Sequence, residues 1–195
     1  MLSTQASPRV GLFVSAKTSA AIPAPQSIVR DALVQASLDP QVRSLDFIRM
    51  ATVGATQVAL KAIVLVRDDG RFYLDVVDAR RIRDVEAEGL ALIALDRLGL
   101  TALTLHAADI RREPRFANAR AVWEHRMHPV GISMRMKVLT VLQKDGPLPF
   151  GCLLKRIHVA RQPAPAIMAL ACSDLLELDL VTQPLGPSTI VRSRS

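Results

Sequence analysis

Aromatic side chains are scarce: one Trp, one Tyr and five Phe make up 4% of the 195 residues. Half of the chain is nonetheless hydrophobic, which excludes a disordered tail protein and leaves the core to aliphatic side chains. Cysteine is scarcer still. Cys152 and Cys172 are the only two, too few for a metal site of their own, and both lie in apolar stretches. They read as small buried hydrophobes in a reducing compartment. No apolar run approaches the ~18 residues of a spanning helix. The densest, Gly89–Leu95, ends at Asp96-Arg97, so no membrane partner is implied. The nine glycines are scattered and form no phosphate-cradling fingerprint, and no serine sits in a nucleophile elbow. His106, His125, His128 and His158 share no metal-ligand spacing with a Cys or carboxylate. Neither a metal nor a cofactor is implied.

Acidic residues are absent from the first thirty positions, which carry Arg9 and Lys17. Pro8, Pro23 and Pro25 break any long amphipathic helix there, so residues 1–24 read as a mobile arm on a cytoplasmic protein rather than a transit peptide. The whole chain carries 25 basic against 18 acidic side chains, a net +7, which favours a polyanionic partner. That charge is regional. Residues 61–110 hold seven basic and nine acidic side chains, whereas residues 111–137 hold six Arg and Lys137 against Glu113 and Glu124.

Pro25–Ser37 has helical apolar spacing (Ile28, Val29, Ala32, Leu33, Ala36), with Asp39-Pro40 as its stop. Leu45–Val53 and Val58–Val66 read as strands, and Arg67-Asp-Asp-Gly70 predicts a turn into the alternating strand Arg71–Val77, making a hairpin. A helix over 82–98 with Gly99 as its cap, then a β-rich Leu100–Leu105, predicts an α/β sheet with a crossover connection. The basic run beyond 111 should be largely helical, interrupted near Pro129–Gly131. Residues 133–195 read as a second unit. Ser133 caps a helix through Lys144, Pro149–Ile157 and Pro163–Leu178 are two more, and Val181–Val191 holds two short strands about a Pro/Gly turn. Three helices and a hairpin are the pattern of a winged helix-turn-helix. Trp123, on the basic helix, is expected to pack between the two units.

Four elements recur in one order: Gln26–Asp31 leading to Leu38–Val42; the hairpin ending in Asp78-Ala-Arg80; the following helix and strand; and Asp109-Ile110 with Asn118. In this order the chain resembles the TnsA-like transposon endonucleases over roughly residues 25–190. The resemblance implies a restriction-endonuclease-like mixed-sheet domain over 25–128 followed by a winged-helix domain over 129–195. It also implies metal-assisted phosphodiester hydrolysis, in which carboxylates hold Mg²⁺ against a phosphate. That chemistry takes a helix Glu, an Asp on the first hairpin strand, and a Glu or Gln two residues before a Lys on the second. Here Gln26 or Arg30 stands at the helix position and Lys61 or Ala62 at the strand Asp. Asp78 and Arg80 stand at the final pair, with Asp75 earlier. A site of Arg30, Lys61 and Arg80 repels Mg²⁺ and attracts phosphate.

The expectation is therefore a non-catalytic DNA-binding protein acting in transcription or DNA architecture. Arg111, Arg112, Arg115, Arg120 and Arg126 would grip phosphates of double-stranded DNA, joined by Lys155, Arg156, Arg161, Gln162, Arg192 and the 182–192 wing. Two other readings stay open. One is an endonuclease using Asp46, Asp75 or Asp78. The other is an interaction module whose apolar third helix forms a homodimer.

Overall fold

The computed structural model describes residues 11–157 and 163–194. Its first long helix, α1 (Ser27–Leu38), buries Ile28, Ala32, Leu33 and Ala36 of the predicted stripe and leaves Val29 half-buried. It stops at Asp39 because Pro40 disfavours helical backbone before it; Asp39 is extended, with φ −76° and ψ 119°. Strands β3 (Val42–Val53), β4 (Thr56–Arg67) and β5 (Gly70–Val76) form an antiparallel meander. The β3–β4 turn uses Gly54 at φ +60°, and Asp68-Asp69 close the β4–β5 hairpin where the turn signal predicted it. Helix α2 (Val85–Arg97) starts on Asp84, whose side chain accepts from the Ala87 amide, and is followed by Gly99 at φ +65°. Strand β6 (Thr101–Leu105) then pairs parallel to β5, giving a mixed sheet of order β3-β4-β5-β6.

Helices cover both faces of this sheet. Ala91, Ala94 and Leu95 of α2 pack on Val58, Leu60 and Val64. On the other side, Leu33 and Ala36 of α1 meet Leu45, Ile63 and Leu65, while Ile28 and Ala32 meet Val76. The α3 turn (Ala107–Ile110) completes that face, and the Gln35 side-chain amide donates to the Ile110 carbonyl at 2.5 Å.

The segment expected to be a mobile arm is structured from residue 11 onward. Strands β1 (Leu12–Phe13) and β2 (Ile22–Pro23) pair antiparallel, and Phe13, Ile22 and Ala24 are buried. The reason is a distant partner: the Phe13 ring stacks on Trp123 of α4 (Arg115–Glu124), centroids 5.3 Å apart.

The C-terminal third runs α5 (Ile132–Asp145), β7 (Leu148–Pro149), α6 (Phe150–Ile157), α7 (Pro163–Cys172), β8 (Leu176–Leu178) and β9 (Ile190–Ser193), with a second sheet of order β7-β9-β8. Three expectations are corrected. Gly131, not Ser133, stands at the start of α5. The third helix ends at Cys172 because Asp174 takes left-handed backbone, φ +57°, and Leu176–Leu178 is a strand. Residues 179–189 form the hairpin loop, not its strands.

Buried apolar contact extends across the expected boundary at 128/129. One buried cluster runs from Leu33, Leu45 and Leu65 through Val122 and Trp123 to Val138, Leu153, Ile167 and Val191. No helix among the described residues is long and apolar enough to cross a membrane.

Candidate functional site

The start of α1, parts of β4 and β5, the 79–83 segment and α2 line an open cavity of about 550 Å³. Gln26, Lys61, Tyr73, Asp75, Arg80 and Arg81 line it, with Arg83 and Glu88 at its α2 side. A β-bulge aims Lys61. Between the pairs Ile48–Ala62 and Met50–Ala59, β3 contributes Arg49 alone while β4 contributes Leu60 and Lys61. The extra residue leaves Lys61 at φ +49°, a conformation that unbranched L-residues adopt only under constraint. Arg83 supplies that constraint, donating to the Leu60 carbonyl at 3.0 Å and to Glu88 at 2.9 Å.

The carboxylates here are already engaged. Arg80 donates to both Asp75 oxygens, at 2.8 and 2.5 Å, and Thr104 adds a hydroxyl donor at 3.1 Å. The Arg80 guanidinium, more than Thr104, holds the Asp75 carboxyl below the usual carboxylate range. Tyr73 is pushed the other way, chiefly by burial and then by the Asp75 charge, so its phenol stays protonated. Lys61 and Arg81 are exposed side chains of the lining with no hydrogen bond or ion pair among the described residues. The lining thus holds four cations against two carboxylates, both already paired.

Of the four motif positions, the structure brings Lys61 and Arg80 together and leaves Arg30 and Asp78 out of the lining. Gln26, the other candidate for the helix position, faces the cavity in place of Arg30. Asp78 is displaced because β5 ends at Val76; it sits on the 3-10 turn Val77–Ala79 and accepts the Ala107 amide of α3 at 2.7 Å. Asp46 accepts from Ser19 at 2.6 Å and Ser44 at 3.2 Å, outside the cavity. Asp46, Asp75 and Asp78 are therefore not one cluster. Among the described residues no three His, Cys, Asp or Glu side chains converge as a metal site. Tyr73, Arg81 and Arg83 were not singled out in the sequence; the Asp-Ala-Arg-Arg-Ile-Arg run at 78–83 was the available signal.

The basic surface beyond 111 divides by partner. Arg112, Arg115 and Arg156 are ion-paired with Asp109 (2.8 Å), Asp39 (3.3 Å) and Asp145 respectively. Arg120 and Arg126 lie over the Phe116 and Trp123 rings, 5.5 and 5.6 Å from the centroids, with no carboxylate in ion-pair contact among the described residues. Arg111, Lys155 and Arg192 are exposed and have no carboxylate in ion-pair contact among the described residues. Arg161 and Gln162, with His158, lie outside the described residues.

Helix α7 carries no polar side chain, and six of its ten residues are buried. The loop after β8 is fastened down rather than extended. The buried Asn118 amide donates to the Leu180 and Gln183 carbonyls at 2.9 and 2.8 Å, and its oxygen accepts the Leu185 amide at 2.8 Å. At the loop's far end, the Gly151 amide donates to the Pro187 carbonyl at 2.8 Å. A Cβ on Gly151 would stand 3.0 Å from the Pro187 Cβ, which explains glycine there. No protein-family model and no curated protein matches the chain.

Proposed function

We propose that the chain is a non-catalytic DNA-binding protein that holds duplex DNA by its phosphates, on a restriction-endonuclease-like domain followed by a winged helix. The element order supports that architecture. The helix and hairpin strand that bear the motif positions meet at one cavity, and three helices followed by the β8–β9 hairpin match the winged-helix pattern.

One observation carries the non-catalytic part. In the cavity where hydrolysis would need a strand carboxylate, Lys61 stands instead, and Arg80, at the motif's lysine position, clasps Asp75. Binding Mg²⁺ there would set a dication against cations and break a bidentate pair. The exposed charges of Arg111, Arg120, Arg126, Lys155 and Arg192 fit phosphate contact. The apolar, buried α7 fits binding without base readout.

The test is duplex binding across a salt series. Affinity should fall steeply as salt rises; affinity indifferent to salt overturns the phosphate-grip reading. Plasmid cleavage in Mg²⁺ or Mn²⁺ that disappears in Asp75→Ala overturns the non-catalytic one.

A further inference from the structure

The cavity of α1, β4, β5 and α2 combines features that a merely exposed basic patch lacks. It is concave, at about 550 Å³. Its two carboxylates are neutralised internally, so they do not oppose an incoming anion. Two cations of the lining, Lys61 and Arg81, have no partner among the described residues. Lys61 is held in left-handed backbone by a bulge whose Leu60 carbonyl Arg83 braces, so the fold stores strain where that ammonium is displayed.

We propose that this cavity is a binding site for a phosphate group, met by the Lys61 ammonium and the Arg81 guanidinium, with Gln26 and Tyr73 as neutral donors on its wall. An ammonium and a guanidinium together match a phosphate dianion: the first is a compact charge and the second a planar fork. Ile82 and Leu92 extend the lining with exposed apolar surface, where the organic part of a phosphate ester would lie. The proposal deepens the DNA-binding reading. It rests on that reading only for a nucleic-acid source of the phosphate.

The probes are inorganic phosphate, a 5′-phosphorylated dinucleotide and its unphosphorylated twin, titrated calorimetrically at matched ionic strength. Saturable phosphate binding is expected, weakened at least about tenfold by Lys61→Gly and by Arg81→Gln, and unchanged by Lys144→Gln on α5. Lys61→Gly suits left-handed backbone, so lost binding there is not a folding failure. Stronger binding of the phosphorylated dinucleotide than of inorganic phosphate assigns the site to nucleic-acid ends. Equal or weaker binding assigns it to free phosphate. Failure of all three probes to saturate, or wild-type affinity in both variants, overturns the site. If duplex binding is salt-indifferent while phosphate binds as described, the DNA reading falls and the cavity stands.

Discussion

Lys17 Nζ lies 3.3 Å from the Asp174 carboxylate, joining the β1–β2 segment to the turn between α7 and β8. Lys17 is 5% exposed and also donates to the Asp39 carbonyl at 2.6 Å. Arg194 closes the same cluster, reaching Asp174 at 3.5 Å, Glu177 at 3.3 Å and the Pro40 carbonyl at 2.6 Å. Charged groups thus tie the C-terminal strands to the start of β3, next to the shared apolar core.

Lys17→Met keeps the apolar stem and removes the ammonium. Asp174 retains Arg194, so the expected loss is about 1–3 kcal/mol, below that of breaking an isolated buried pair. Burial lowers the Lys17 pKa from 10.5, outweighing Asp174. Between that lowered value and 10.5 the unfolded chain therefore holds more protons than the folded one. Wild-type stability should accordingly rise relative to Lys17→Met across that window. Urea unfolding at several alkaline pH values checks both the loss and its sign.

Asn118 fastens the hairpin loop to α4 with three hydrogen bonds from a buried amide. Asn118→Ala strands two carbonyls and one N–H, and should cost about 2–4 kcal/mol. Amide exchange should quicken at Leu185, whose N–H loses its acceptor. A loss below about 0.5 kcal/mol would show that water replaces Asn118 at this loop.

Much of this architecture was legible locally. Arg67-Asp-Asp-Gly70 specified the hairpin, Asp39-Pro40 the end of α1, and Gly99 the end of α2. What stayed hidden depended on distant partners. Phe13 is a core residue whose stacking partner, Trp123, lies far along the chain. The apolar run after Pro163 fits a long helix until Asp174 turns left-handed and Leu176–Leu178 finds β9. In the cavity, the cations Lys61 and Arg80 were visible in the sequence. The bulge that presents Lys61, and the early end of β5 that removes Asp78, were not, because register is set by pairing.

The two cysteines, alike in sequence, differ in the fold. Cys152 lies on the outer side of α6 and is exposed; Cys172 is buried on α7, its thiol donating to the Val122 carbonyl at 3.4 Å. Burial pushes the Cys172 thiol up to about 12, so it carries almost no thiolate at pH 8. A thiol reagent at pH 8 should modify Cys152 promptly and Cys172 only on unfolding. Mass spectrometry of the labelled native protein counts the sites; rapid double labelling would contradict the burial.

Lys61→Gly separates stability from binding at one position. The φ of +49° strains any L-residue, and glycine relieves that strain while adding freedom to the unfolded chain. Thermal unfolding should find the variant unchanged or stabilised, by up to about 1 kcal/mol. A clear destabilisation would mean that the Lys61 side chain supports the fold, removing the argument that its strain is kept for a ligand.

Duplex binding should be largely blind to sequence. Helix α7 offers no polar side chain to a base edge, and Asn118 and Gly151 hold the hairpin loop against the body, so among the described residues the duplex would be met by exposed Arg and Lys. Arg111→Gln and Lys155→Gln should each reduce the slope of log affinity against log salt by about 1, weakening all duplexes alike. Arg112→Gln and Arg156→Gln should do less, since Asp109 and Asp145 already offset those charges. Anisotropy titrations with one duplex and its shuffled counterpart at several salt concentrations measure both quantities. A preference above about tenfold for one sequence would require a base-reading element other than α7.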